Sequence, residues 1–198
     1  MNKKITTLIF STVVIVSHQA SALRTIDELF QDPRIDFLFS KQNAPDYQLM
    51  GLDPEQAKSF THKTLSTTIE NPYNELSTQF TDDRVKEYET KLEIIFKKIL
   101  AAATNQAIEI NDIDQFTTLL KSLVKYLSQK HGNVTPVLQF TTIIISRIIT
   151  IVGMEIGIEN PIAPAERANV QATMTKNLAP FNDAFTKIIT ELFANFVN

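Results

Sequence analysis

The chain has 198 residues, 43% of them hydrophobic and 21% charged, with 19 Lys and Arg against 22 Asp and Glu. That balance suits one compact domain, not a disordered tail or a fibrous repeat, and its slight acidity gives no footprint for nucleic acid or anionic lipid. With only 4 glycines the turn-rich β sandwiches and barrels are disfavoured, and the lack of any cysteine removes disulfides, thiolate metal sites, thiol catalysis and thiol redox roles.

Residues 1–22 read as a cleavable signal peptide. Lys3 and Lys4 give a basic start, Ile5 to Val16 is a mostly apolar run, and Ala20-Ser21-Ala22 supplies the small-x-small cleavage pattern. The run is short for a bilayer span and ends in Ser17, His18 and Gln19. The expectation is an exported chain, periplasmic or secreted, folded as a single α-helical domain over residues 23–198.

Thr25-x-x-Glu28 is a capping-box pattern, and Asp32-Pro33 supplies a second helix start. Two short helices are predicted before Ser40, with Ile26, Leu29, Phe30, Ile35, Phe37, Leu38 and Phe39 turned inward. Lys41 to Leu52 carries Pro45 and Gly51 without periodicity, so it reads as a loop pinned by Tyr47, Leu49 and Met50.

Asp53-Pro54-Glu55-Gln56 repeats the start signal. The helix it opens is predicted to reach about Glu70, with a thin apolar face of Ala57, Phe60, Leu65 and Ile69, and to end at Asn71-Pro72. A short segment bearing Tyr73, Leu76 and Phe80 follows. Thr81-Asp82-Asp83 then opens a stronger helix, in which Val85, Tyr88, Leu92, Ile95, Phe96, Ile99, Leu100 and Ala103 define one buried face. Lys86, Glu87, Glu89, Lys91, Glu93, Lys97 and Lys98 read as its solvated face.

Asn111-Asp112 is predicted to cap the next helix, with Ile113, Phe116, Leu119, Leu120, Leu123, Val124 and Leu127 inward. Gly132 after Lys130-His131 is its stop signal, which makes His131 an end-of-helix histidine. Thr135-Pro136 launches Val137–Ile158, an isoleucine-rich stretch that carries two charges, Arg147 and Glu155. It is too long for one strand, and no turn signal divides it before Gly153, so a buried central helix is expected. Its smaller or polar residues Gln139, Thr142, Ser146, Thr150, Gly153 and Gly157 line one edge. That edge is either an exposed strip, or a seam or groove for a partner helix or a ligand.

A constitutive transmembrane span is not expected. Arg147 leaves uncharged runs well short of the ~20 residues a span needs. Arg147 and Glu155 lie ~12 Å apart along the axis, so each requires a partner elsewhere; they are the candidate ligand or partner contacts. Pro164 to Leu178 reads as a polar surface helix, and Pro180 as the start of a last helix with Phe181, Ala184, Phe185, Ile188, Ile189, Leu192, Phe193 and Phe196 on its apolar face.

No reaction is spelled out. After the signal peptide the histidines are His62 and His131, with neither a second histidine nor a carboxylate at ligand spacing, and no G-x-S-x-G elbow or phosphate-binding glycine loop occurs. The paired acids Asp82-Asp83 and Asp112 with Asp114 sit at helix starts, where they cap orphan N–H groups. The sequence therefore predicts an all-α bundle of about six to eight helices, with the helices beginning near Asp82, Asn111 and Pro180 around Val137–Ile158. It predicts no catalytic residue, no metal and no cofactor. The expected role is a non-enzymatic interaction protein with a protein partner. The alternatives are a carrier of an apolar molecule or lipid, with a cavity among Phe140, Ile144, Ile148, Phe185 and Phe193, and a triggered membrane-active protein.

Overall fold

The computed structural model describes residues 23–40, 50–132 and 134–197, so the signal-peptide reading and the Tyr47 and Leu49 anchors lie outside the described residues. The fold is an all-α bundle. In chain order it contains α1 (Ile26–Gln31), a 3-10 turn (Pro33–Ile35), α2 (Asp36–Phe39), α3 (Pro54–Leu65), a π turn (Ser66–Glu70), α4 (Asn71–Phe80), α5 (Asp83–Ala103), α6 (Ile110–His131), α7 (Val134–Glu159) and α8 (Arg167–Val197).

The start and stop signals act locally, as short-range hydrogen bonding requires. Thr25 with Glu28 and Asp53 with Gln56 form reciprocal capping boxes, and Asp82 accepts from the Val85 N–H at 2.9 Å. Gly132 closes α6 at φ +62°, a left-handed conformation that glycine adopts without a Cβ penalty.

Two prolines depart from expectation. Asn71-Pro72 does not end a helix; α3 runs through the π turn into α4. The Asn71 N–H bonds to the Ser66 carbonyl five residues back, and Pro72 follows directly, so its missing N–H falls where the four-residue ladder is already interrupted. Pro180 likewise lies inside α8 and starts nothing. The carbonyl it leaves without a donor, four residues back at Lys176, lies on an exposed face where water can serve.

The Asn111-Asp112 cap is also corrected. The N-cap of α6 is Glu109, which makes no side-chain cap bond, while Asp112 is buried in the first turn and accepts from Lys98 Nζ at 2.8 Å. There the carboxylate faces the positive end of the helix and ties α6 to α5.

The larger core joins α5, α6 and α7 through side chains such as Leu92, Phe96, Phe116, Leu120, Phe140, Ile144 and Ile148. Aromatic rings interlock within it: Phe80 on Phe140 at 5.3 Å, and Phe116 edge-on to Phe181 at 5.2 Å. A smaller core seats α1, α2 and α3 against Ile151 and Ile158 of α7. The central helix thus belongs to both cores, as a buried rod should.

Its flanking elements differ from the expected ring. α5, α6 and α4 pack on α7, whereas α8 packs chiefly on α6 and α5. Several expected anchors also face water: Phe60 is 51% exposed, Met50 60%, and Phe37 is exposed as well.

Candidate functional site

α7 presents two unlike features, a sealed polar seam and an open apolar groove. Arg147 stands in the seam, nearly inaccessible at 5% exposure. Its Nε donates to Glu70 Oε2 at 3.1 Å and its Nη2 to Glu70 Oε1 at 3.4 Å, a two-point clasp on a buried carboxylate. Nη2 also donates to the Arg24 carbonyl at 3.2 Å, and the guanidinium lies 4.4 Å from the centre of the Tyr73 ring. One side chain therefore ties the start of the described chain and the π turn to the central helix.

The Tyr73 hydroxyl donates to Glu89 Oε2 at 3.0 Å. Burial pushes the Glu89 carboxyl above its ordinary range, and its Oε1 has no partner. Burial, helped by the neighbouring Glu89, also pushes the Tyr73 hydroxyl up.

Glu155, the other candidate, belongs to a separate cluster. Lys97 Nζ lies 3.5 Å from Glu155 Oε2 and 3.2 Å from Glu159 Oε1. Beside them, burial and then the charge of Glu155 push the Glu93 carboxyl up to about 7, and Glu93 Oε2 lacks a hydrogen-bond partner. Burial opposes the charge on Lys97, but Glu155 and Glu159 together hold its pKa above the ordinary value. Arg147 and Glu155 thus do not meet: one is clasped by Glu70, the other shares a lysine.

Reading the α5 charges as one solvated face misses Glu89, Glu93 and Lys97. A signal was present, because Glu89 falls four residues after Val85 and three before Leu92, inside the apolar stripe.

The groove lies on the other side of α7. Ile149, 38% exposed on an otherwise mostly covered helix, lines it together with Gly153, Ile156 and Gly157. Phe96 and Leu100 of α5 and Val170, Met174, Leu178, Phe181 and Phe185 of α8 complete the walls, enclosing about 940 Å³. The opening exists because α8 packs on α6 and α5 and not along α7.

A carrier cavity was expected among Phe140, Ile144, Ile148, Phe185 and Phe193. The first three are packed solid in the core. Phe185 does stand on the groove wall, and the Phe193 side chain lies outside the described residues.

The small-residue edge divides as well. Gln139 and Thr142 face solvent, and a Cβ added at Gly153 would meet nothing within 4 Å. One added at Gly157 would come 3.2 Å from Leu38 Cδ2 of α2. Gly153 opens a groove, whereas Gly157 admits an intramolecular neighbour.

The histidines go elsewhere. His62 Nε2 is 2.7 Å from Asp27 Oδ1, at a second concavity of about 690 Å³ bounded by α1, α2 and α3. His131 at the end of α6 meets Phe80 edge-on at 4.7 Å. Among the described residues no three His, Asp or Glu side chains gather as a metal site. No family model, curated protein or solved structure matches this chain.

Proposed function

We propose that this chain is an exported, non-enzymatic helical binding protein, and that the molecule it carries is apolar and lies between α7 and α8. The observation that carries the reading is the groove: about 940 Å³ of mostly hydrocarbon-lined space against the central helix, which contributes Ile149 and Gly153 to its lining. Small-molecule sites enclose roughly 300–1,000 Å³ and are lined mainly by apolar and aromatic side chains with a few polar groups.

Export is supported by the basic start, apolar run and Ala20-Ser21-Ala22 tripeptide. Recovery of the protein outside the cytoplasm with Leu23 as its first residue would establish it; retention of residues 1–22 would argue for an anchor.

Thr135–Glu159 is long and apolar enough to cross a bilayer, its most apolar window having a mean hydropathy of 1.8. We read it as a core helix, because half of its most apolar window is buried by the other helices and Arg147 is paired with Glu70.

Titration with a fatty alcohol, followed by displacement of an environment-sensitive dye, tests the groove. Gly153→Phe places a ring in open space and should abolish binding while helicity and melting are retained. Unchanged binding by this variant would remove the groove from consideration.

A further inference from the structure

We infer that the molecule held between α7 and α8 is an amphiphile with a cationic end, an alkyl ammonium or guanidinium compound and not a fatty acid. This rests on the groove being an apolar-ligand site and adds what its polar end must be.

Polar lining groups sit where three helix ends meet, Thr104 and Asn105 after α5, Glu159 and Asn160 at the end of α7, and Glu166 before α8, with Asn182 farther along α8. Glu159 and Glu166 are the charged side chains among the described lining residues. Lys97 does not reverse that sign. Its one ammonium is shared between Glu155 and Glu159, and Arg34, which also feels Glu159, is itself clasped by Asp32.

Backbone adds to the same field. α5 ends at Ala103 and α7 at Glu159, so the negative poles of two helices point to these groups, against the one positive pole of α8 at Arg167. Arg167 itself borders a neighbouring depression with Gln171 and Thr175 and is not on the groove wall. A carboxylate seated here would face Glu166, a Glu159 that shares Lys97 with Glu155, and two helix C-termini against one N-terminus. An ammonium would find acceptors in Glu159, Glu166 and the Asn105 and Asn160 amide oxygens.

The test uses the chain from Leu23 onward and a matched dodecyl series bearing trimethylammonium, hydroxyl or carboxylate ends, each below its critical micelle concentration. The ammonium should bind about five- to tenfold more tightly than the carboxylate at low salt. Added salt should narrow the gap, with the alcohol between them. Glu159→Gln with Glu166→Gln should erase the ammonium's advantage over both the alcohol and the carboxylate.

If the alcohol binds but the ammonium has no advantage, or the carboxylate binds better, the cationic assignment is wrong while the groove stands. If no member of the series binds, or Gly153→Phe binds all three as before, the groove reading fails and this inference with it.

Discussion

On one side of α7, Arg147 is closed in by Glu70, Tyr73 and the Arg24 carbonyl; on the other, Ile149 and Gly153 look onto an open groove walled by α5 and α8. The sealed side holds charge without water, which is stable only while every partner stays in place. The open side leaves hydrocarbon uncovered, which weakens the bundle and frees a surface. A single helix thus carries both the most interdependent contacts described here and the least committed ones. Integrity should therefore depend on the first side and recognition on the second.

The largest expected effect follows from breaking the sealed side. Arg147→Ala strands Glu70 as an uncompensated buried carboxylate and should cost about 3–5 kcal/mol, read as a lower urea midpoint. Arg147→Met combined with Glu70→Leu should recover most of that loss, since hydrocarbon of similar volume often replaces a buried pair at little cost. If the double variant is as unstable as Arg147→Ala, the clasp contributes more than relief of an isolated charge.

Acidity sharpens the comparison next. Burial, and then the charge of Glu155, push the Glu93 carboxyl up to about 7 in the folded protein, against 4.5 for an ordinary glutamate, so the folded state holds this proton more tightly. Its contribution is complete below the ordinary value and is lost as pH rises through about 7. The melting temperature should accordingly rise as the solution is taken from mildly alkaline to mildly acidic. The effect should be on the order of 1 kcal/mol, held down by the partial exposure of the group to water. Glu89, raised by burial, adds in the same direction. Hydrogen bonds from Arg34 hold Asp32, and those from Lys130 and Tyr126 hold Asp82, well below the usual carboxylate range, so their opposing loss comes only in strong acid. Glu93→Gln should flatten the neutral part of the profile; an unchanged profile would mean that the carboxyl titrates normally.

The smallest effects separate the two glycines. Gly153→Ala removes a flexible residue from mid-helix with no neighbour to strike, and should stabilise the protein by up to about 1 kcal/mol. Gly157→Ala should gain less or lose slightly, because Leu38 has to yield by a few tenths of an ångström. Equal gains at both positions would mean that α2 is not held against α7.

Much of the helical skeleton could be read directly, because its determinants are local. Thr25 with Glu28, Asp53 with Gln56, Asp82, and Gly132 each act within one turn, and the central run of isoleucines has to be covered by something. The prolines resisted reading because their cost depends on what lies four residues earlier: a π turn in one case, a wet carbonyl in the other.

The site was less legible. Arg147 and Glu155 were identifiable as charges in need of partners, but Glu70 lies 77 residues from Arg147, and Lys97 lies 58 from Glu155. No periodicity links such pairs. The groove was further from reach, since it depends on the direction in which α8 leaves its turn and on no pattern within α8.

The π turn at Ser66–Glu70 has a consequence for how this chain tolerates change in length. It accommodates one surplus residue, and in doing so sets the angular phase between α3 below it and α4 above it. Deleting one of Ser66, Thr67 or Thr68 should restore ordinary winding and leave α3 and α4 in phase, whereas deleting one residue from α3 itself should swing everything beyond by about 100°. Tyr73 and Phe80 would then point away from Phe140, and Glu70 away from Arg147. Loss of one residue from α3 would thus uncouple the two cores that the central helix joins, while the π turn could shed one and keep them aligned.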